Sequence, residues 1–170
     1  MKINNITLIG MPGAGKSTLG VVLAKILGYE FLDSDLLIQK EENRRLYQII
    51  DEEGEEGFKA IENRVNASIE TEKTVIATGG SVVYCSEAME HLKSIGKVVY
   101  LRISLESLET RLGNLKKRGV LLKEGQTLKS LYEERIPLYE KYADIVVDEE
   151  GKDLEASLQA LLETLQTGVN

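Results

Sequence analysis

The sequence predicts an α/β fold, a three-layer sandwich in which helices cover both faces of a five-stranded parallel sheet. Three observations predict it. Apolar runs of strand length alternate with segments of helical period from end to end. The runs are continuous, as in Ile6 to Ile9 and Val98 to Leu101, whereas a strand wet on one face would alternate. Glycine or acid clusters follow three of the strands directly, and ligands of such sheets bind outside the carboxyl ends of the strands.

In chain order, Ile6 to Ile9 reads as a buried strand closed by the turn residues Gly10 to Gly15. Leu19, Val22, Leu23, Ile26 and Leu27 then recur at helical spacing, and Gly28 supplies the stop. Tyr29 to Leu32 is a second strand. Leu36 to Glu72 is helical and rich in charge, with breaks expected at Gly54 and Gly57. Thr74 to Thr78 is a third strand, ending at Gly79 and Gly80, and a helix through Met89 and Leu92 leads to the fourth, Val98 to Leu101. Leu105, Leu108 and Leu112 mark another helix. The stretch from Gly113 to Gly125 has no apolar period and reads as a mobile lid. Leu128 to Tyr142 is helical, with Pro137 expected to kink or end it. Ala143 to Val147 is the fifth strand, and Leu154 to Leu165 closes the chain as a helix.

A chain of 170 residues with 42% hydrophobic residues suits one domain, here 1–170, with its own core. Lys and Arg number 21 against 28 Asp and Glu, a net charge of −7, which disfavours partners held by phosphate neutralisation such as nucleic acid. One cysteine, Cys85, excludes an internal disulfide, and one histidine, His91, excludes a two-histidine zinc motif. Both read as inert fillers. No apolar run reaches the length of a membrane span, and the segment before Gly10 reads as a strand, not a secretory leader. The expectation is a cytoplasmic monomer acting on a small molecule, with no nucleic-acid or membrane partner.

The chemistry begins at Gly10-Met11-Pro12-Gly13-Ala14-Gly15-Lys16-Ser17, which fills every fixed position of G-x-x-x-x-G-K-[ST]. Glycines let successive N–H groups converge on a phosphate, and the following helix turns its positive end to the same anion. Lys16 would reach the β- and γ-phosphates and the Ser17 hydroxyl would ligate Mg²⁺. Gly13, Ala14, Gly15, Lys16, Ser17 and Thr18 are thus the expected ATP-binding loop. No Asn-Lys-x-Asp guanine reader follows, so a compact small-molecule kinase fits better than a GTPase. Asp33-Ser34-Asp35 follows the second strand. Residues two apart on an extended segment share a side, so one carboxylate could serve Mg²⁺ and the other the attacking hydroxyl. A lone pair of this kind also serves as a helix cap, with Asp35 the expected capping residue.

With these motifs go Phe31-Leu32-Asp33-Ser34-Asp35, Gly54 to Glu62, Ala77-Thr78-Gly79-Gly80, Arg118 and Glu134-Arg135-Ile136-Pro137-Leu138-Tyr139. In this order, from Ile6 to about Leu165, the set resembles the shikimate kinases. The resemblance implies a P-loop kinase fold with a lid, and transfer of the γ-phosphate of ATP to the 3-hydroxyl of shikimate, on the route to aromatic amino acids. It also implies site roles. Asp33 matches the acid near Mg²⁺ and Asp35 the one that binds the acceptor hydroxyl, so that Lys16, Asp35 and Arg118 form the catalytic set. Gly79, Gly80 and Arg135 match substrate-binding positions. Arg118 matches a lid arginine that meets the transferring phosphate, and Arg111 a residue against the adenine ring.

The sequence departs from that pattern around the acceptor. Lys59, a substrate-binding position by this match, stands where a second carboxylate-binding arginine is usual, and an ammonium is not a planar fork. Ser81 replaces the third glycine of a triplet, Ile50 an aromatic residue, and Gly119-Val120 follows Arg118 where a proline is usual. From sequence, a kinase for another hydroxy acid, polyol or nucleotide, or a non-catalytic ATP-binding regulator, remains the alternative. Tyr139 and Tyr142 read as core-edge packing, and Asp148-Glu149-Glu150 as a surface loop without catalytic interest.

Overall fold

The computed structural model describes residues 4–112 and 125–167. The expected lid at 113–125, apart from Gly125, and with it Arg118, Gly119 and Val120, lies outside the described residues. The sheet is five-stranded and parallel. Its strands are β1 (Asn5–Ile9), β2 (Glu30–Asp33), β3 (Thr74–Ala77), β4 (Lys97–Arg102) and β5 (Ile145–Asp148), in the spatial order β2-β3-β1-β4-β5. Seven α-helices occur among the described residues: α1 (Lys16–Leu27), α2 (Ser34–Glu42), α3 (Leu46–Ala67), α4 (Ser86–Ile95), α5 (Leu105–Arg111), α6 (Leu128–Tyr142) and α7 (Leu154–Thr167).

The continuous apolar strands sit where covered faces put them. Leu8, Ile9, Val75, Ile76, Val98, Val99 and Leu101 are wholly shielded from solvent. Asn5 is buried among them because its amide is fully used. Nδ2 donates to the carbonyls of Thr71 and Ile95, both at 2.9 Å, and Oδ1 accepts the Thr74 amide at 3.0 Å. One side chain therefore ties together the amino ends of β1, β3 and β4. At the other end of β1 the chain leaves toward β2 on one flank, while β4 and β5 build the opposite flank. That reversal opens the crevice in which the site lies.

Three local expectations change. Gly57 stays inside α3, where only Gly54 leaves helical geometry (φ 71°, ψ −177°), and the preceding break falls at Asn43 in the left-handed region. Pro137 neither ends nor divides α6, which runs on to Tyr142. The proline is exposed while Arg135 and Tyr139 beside it are buried, so packing on both sides outweighs one lost backbone hydrogen bond. The acids of Asp33-Ser34-Asp35 do not share an extended segment. Asp33 ends β2 and is itself the cap of α2, its Oδ1 accepting the amides of Asp35 (2.9 Å) and Leu36 (3.2 Å), and Asp35 falls in the helix's first turn.

Candidate active site

The loop after β1 takes its shape from glycine. Gly15 has φ 88° and caps α1, a left-handed conformation that side chains resist. Lys16 follows and is buried. Its Nζ donates to the carbonyls of Gly10 (2.8 Å) and Met11 (2.9 Å), so the ammonium is held inside the loop. Burial pulls Lys16 down to about 8, against the opposing pull of Asp35. Ser17 and Thr18 are exposed at the helix start, and the Ser17 hydroxyl donates to Asp33 Oδ2 at 3.3 Å. The cap leaves that second oxygen of Asp33 free for Ser17, so two hard oxygen donors meet beside the phosphate loop.

A cleft of about 440 Å³ joins this loop to the residues after β2 and β3. Gly13, Gly15, Lys16, Ser17 and Thr18 line one end, and Asp35, Gly79, Gly80 and Arg135 the other. Ala14 is buried behind the loop. Asp35 is pushed up to about 6, first by burial and then by Asp33, with Lys16 pulling the other way. Gly79 is required by close approach. A side chain there would begin 2.9 Å from Asp35 Oδ1 and 3.0 Å from Glu62 Oε2. Arg135, on the inner face of α6, is 4% exposed, so it is no solvated helix residue. Its guanidinium lies 5.5 Å from the centre of the Tyr84 ring, whose hydroxyl donates to Glu134 at 2.6 Å.

Two expected site residues lie beside the cleft. Lys59 faces a small adjoining pocket that it shares with Arg135, its Nζ 3.2 Å from Glu55 and 3.7 Å from Glu56 and 4.7 Å from the Tyr84 ring centre. The exposed Arg111 donates to the carbonyl of Gly13 at 3.3 Å, which sets it against the outer side of the phosphate loop. Arg118 lies outside the described residues. Ile50 lines the cleft with Leu46 and Phe58.

The structure also brings in residues that the sequence did not single out for the site. Tyr139 is fully buried, not at the core edge. It stacks on Tyr100 at 5.1 Å and donates to the carbonyl of Gly80 at 2.7 Å, which fixes the Gly80 backbone at the cleft wall. Glu149 is 5% exposed, which corrects its reading as surface loop. Burial raises it to about 7, with Arg111 and Lys16 the main opposing charges. Glu62 is fully buried on α3 and accepts the Ser81 hydroxyl at 2.6 Å. The signal for it was present, since Phe58, Glu62 and Val65 share one buried helical stripe and an acid there breaks the apolar pattern. Cys85 is a buried free thiol, and His91 Nε2 pairs with the Ile69 carbonyl at 2.7 Å, both as expected of fillers.

Burial also raises Glu62 to about 7. An acid that ionises at higher pH when folded than when unfolded destabilises the fold as pH climbs from the unfolded value to the folded one. Glu62→Gln is therefore expected to raise the melting temperature by roughly 3 °C or more at pH 8 and to leave it nearly unchanged at pH 4.5. Differential scanning calorimetry at both pH values checks this, and an equal change at both would contradict it.

The family model described as "Shikimate kinase" matches residues 12–166. The shikimate kinase of Francisella tularensis subsp. novicida is 44% identical over 155 residues, 89% of this chain and 88% of that protein. The structure of shikimate kinase from Acinetobacter baumannii in complex with shikimate superposes with a TM-score of 0.88 at 34% identity, covering 99% of this chain and 96% of that one. Shikimate kinase from Aquifex aeolicus superposes with a TM-score of 0.80 at 35% identity, covering 96% and 97%.

Proposed function

The chain belongs to the shikimate kinase family, and from that premise we propose how its cleft moves the γ-phosphoryl group of ATP to the 3-hydroxyl of shikimate. The observation that carries the reading is that one cleft joins the phosphate loop with its buried Lys16 to Asp35 and Arg135. Donor phosphates and a hydroxylated carboxylic acid would thus meet within reach of one transferred group.

The transition state of such transfer is loose, so positioning and charge do most of the work. Lys16 leaves its loop carbonyls to meet the β- and γ-phosphates, and the amides of Gly13 to Ser17 and the positive end of α1 face the same oxygens. Ser17 and the free oxygen of Asp33 suit Mg²⁺, which prefers hard oxygen ligands and takes few from the protein. Bound there, the ion would neutralise charge on the β- and γ-oxygens. Asp35 accepts a hydrogen bond from the 3-hydroxyl and aims its lone pair at phosphorus, more as an orienting group than as an early base. Arg135 grips the substrate carboxylate with its planar fork, while Gly79 and Gly80 let the ring come close. Lys59, already between two glutamates, adds a point charge at the margin. Arg111 lies against the adenine and Arg118 counters charge on the transferring group, two roles that rest on the family match alone.

All these groups come from one chain, so transfer needs no second copy. Among the described residues no helix is long and apolar enough to cross a membrane, and a lone buried thiol suits the cytoplasm we assign it. The test is ADP release over a panel of acceptors, namely shikimate, gluconate and nucleoside monophosphates. Shikimate is expected to stimulate release at least a hundredfold over the others. ATP binding with no acceptor-stimulated release would instead mark a regulator, and preference for another acceptor a changed substrate.

A further inference from the structure

Arg135, the cation assigned to the acceptor's carboxylate, lies against an aromatic ring that the transfer itself does not use. The arginine is buried, and among the described residues no carboxylate forms an ion pair with it. Its Nε is shielded without a hydrogen-bond partner, so nothing at that atom sets the plane of the guanidinium. A buried charge needs compensation, and the neighbours that supply it are backbone and ring. A side chain on Gly80 would begin 2.8 Å from Arg135 Nη1, and the centre of the Tyr84 ring lies 5.5 Å from the guanidinium carbon. Lys59 approaches the same ring, its Nζ 4.7 Å from the centre. Both cations fall within the reach of about 6 Å at which the face of an aromatic ring attracts positive charge. The ring is itself held. Tyr84 ends the short 3₁₀ turn Val82–Tyr84, and its hydroxyl donates to Glu134 Oε1 at 2.6 Å. Lys59 on α3, Tyr84 on the turn and Arg135 on α6 therefore meet at one point. Ser81 and Arg135 line both the cleft and the small pocket that Lys59 and Tyr84 border, so this meeting point stands at the cleft's edge.

We propose that Tyr84 is a positioning residue for acceptor recognition: its ring gathers Arg135 and Lys59 into one cationic pair for the acceptor's carboxylate, and its hydroxyl, anchored on Glu134, fixes the ring. The inference rests on the reading of this cleft as the shikimate site, with Arg135 at the substrate carboxylate. Two like charges repel each other, and Glu55 and Glu56, at 3.2 and 3.7 Å, draw Lys59 along its own helix. The ring opposes both effects, because its face attracts each cation. A guanidinium already fixed in plane loses less freedom when it takes a carboxylate on both prongs. An ammonium has no such fork, so Lys59 contributes only where the ring keeps it near. Loss of the ring should therefore weaken the hold on a charged acceptor and leave Lys16 and Asp35 in place.

The test compares kcat/KM for shikimate with that for its carboxamide, which keeps the hydroxyls and the shape but lacks the charge. The unaltered chain is expected to favour shikimate about a hundredfold. In Tyr84→Leu the ratio should fall to about tenfold, through a KM for shikimate raised about tenfold with kcat within about threefold of the parent. Tyr84→Phe keeps the ring face without the anchor and should leave a ratio of about thirty. Should Tyr84→Leu melt below the assay temperature, Tyr84→Phe decides the matter, and an unchanged ratio there overturns the proposal. Equal losses on both acceptors, or a loss confined to kcat, would reduce the ring to a structural contact and overturn it as well. Failure of shikimate to stimulate ADP release by the unaltered chain would instead overturn the reading of the cleft itself.

Discussion

Replacing Asp35 by alanine is expected to lower kcat at least a thousandfold, about 4 kcal/mol of transition-state stabilisation, while ATP binds within threefold of its normal affinity. Asp35 lines the cleft, its Oδ1 faces the Gly79 backbone, and it is not the cap of its own helix. Loss of its carboxyl therefore leaves α2 capped by Asp33 and the phosphate loop untouched. What disappears is the acceptor for the attacking hydroxyl's hydrogen bond. Steady-state kinetics with shikimate, beside calorimetric titration with an ATP analogue, separates the two effects. A kcat within tenfold of the parent would remove Asp35 from the reaction.

Lys16→Ala is expected to cost at least a thousandfold in kcat/KM for ATP, and to do so through both terms. Burial makes this cation count. A charge set among backbone carbonyls in a shielded loop acts on phosphate oxygens with little screening by water. The variant also leaves the carbonyls of Gly10 and Met11 without their donor, so the ligand-free protein should melt a few degrees lower. Parallel measurement of turnover, ATP affinity and melting temperature tests all three. Normal affinity with normal turnover would contradict the assignment.

Much of the fold was legible in the sequence alone. Each of the five strands has a counterpart in the apolar runs, because burial on both faces demands continuous apolar strands, and each helix among the described residues falls within a segment of helical period, α2 and α3 sharing one. The phosphate loop was legible for a different reason. Its function depends on backbone geometry that only a few residue types permit, so the requirement is written locally. The acceptor side was readable only in part. Asp33 and Asp35 stood out as candidates, yet which of them caps α2 depends on where β2 becomes α2, a boundary that propensity does not locate. Glu149 looked like surface because its neighbours in sequence are acids, whereas the fold buries it within reach of the charges of Arg111 and Lys16.

By itself the sequence determined the architecture, the nucleotide loop and the class of reaction, since these follow from periodicity and from chemistry carried by contiguous residues. Only the tertiary structure decided that Ser81 fastens Glu62, that Tyr139 pins Gly80, and that Lys59 turns toward Glu55 and Glu56 rather than lining the cleft. Those contacts join residues far apart in the chain. Their energies depend on distance and on exclusion of water, and neither quantity exists until the sheet has brought the helices together.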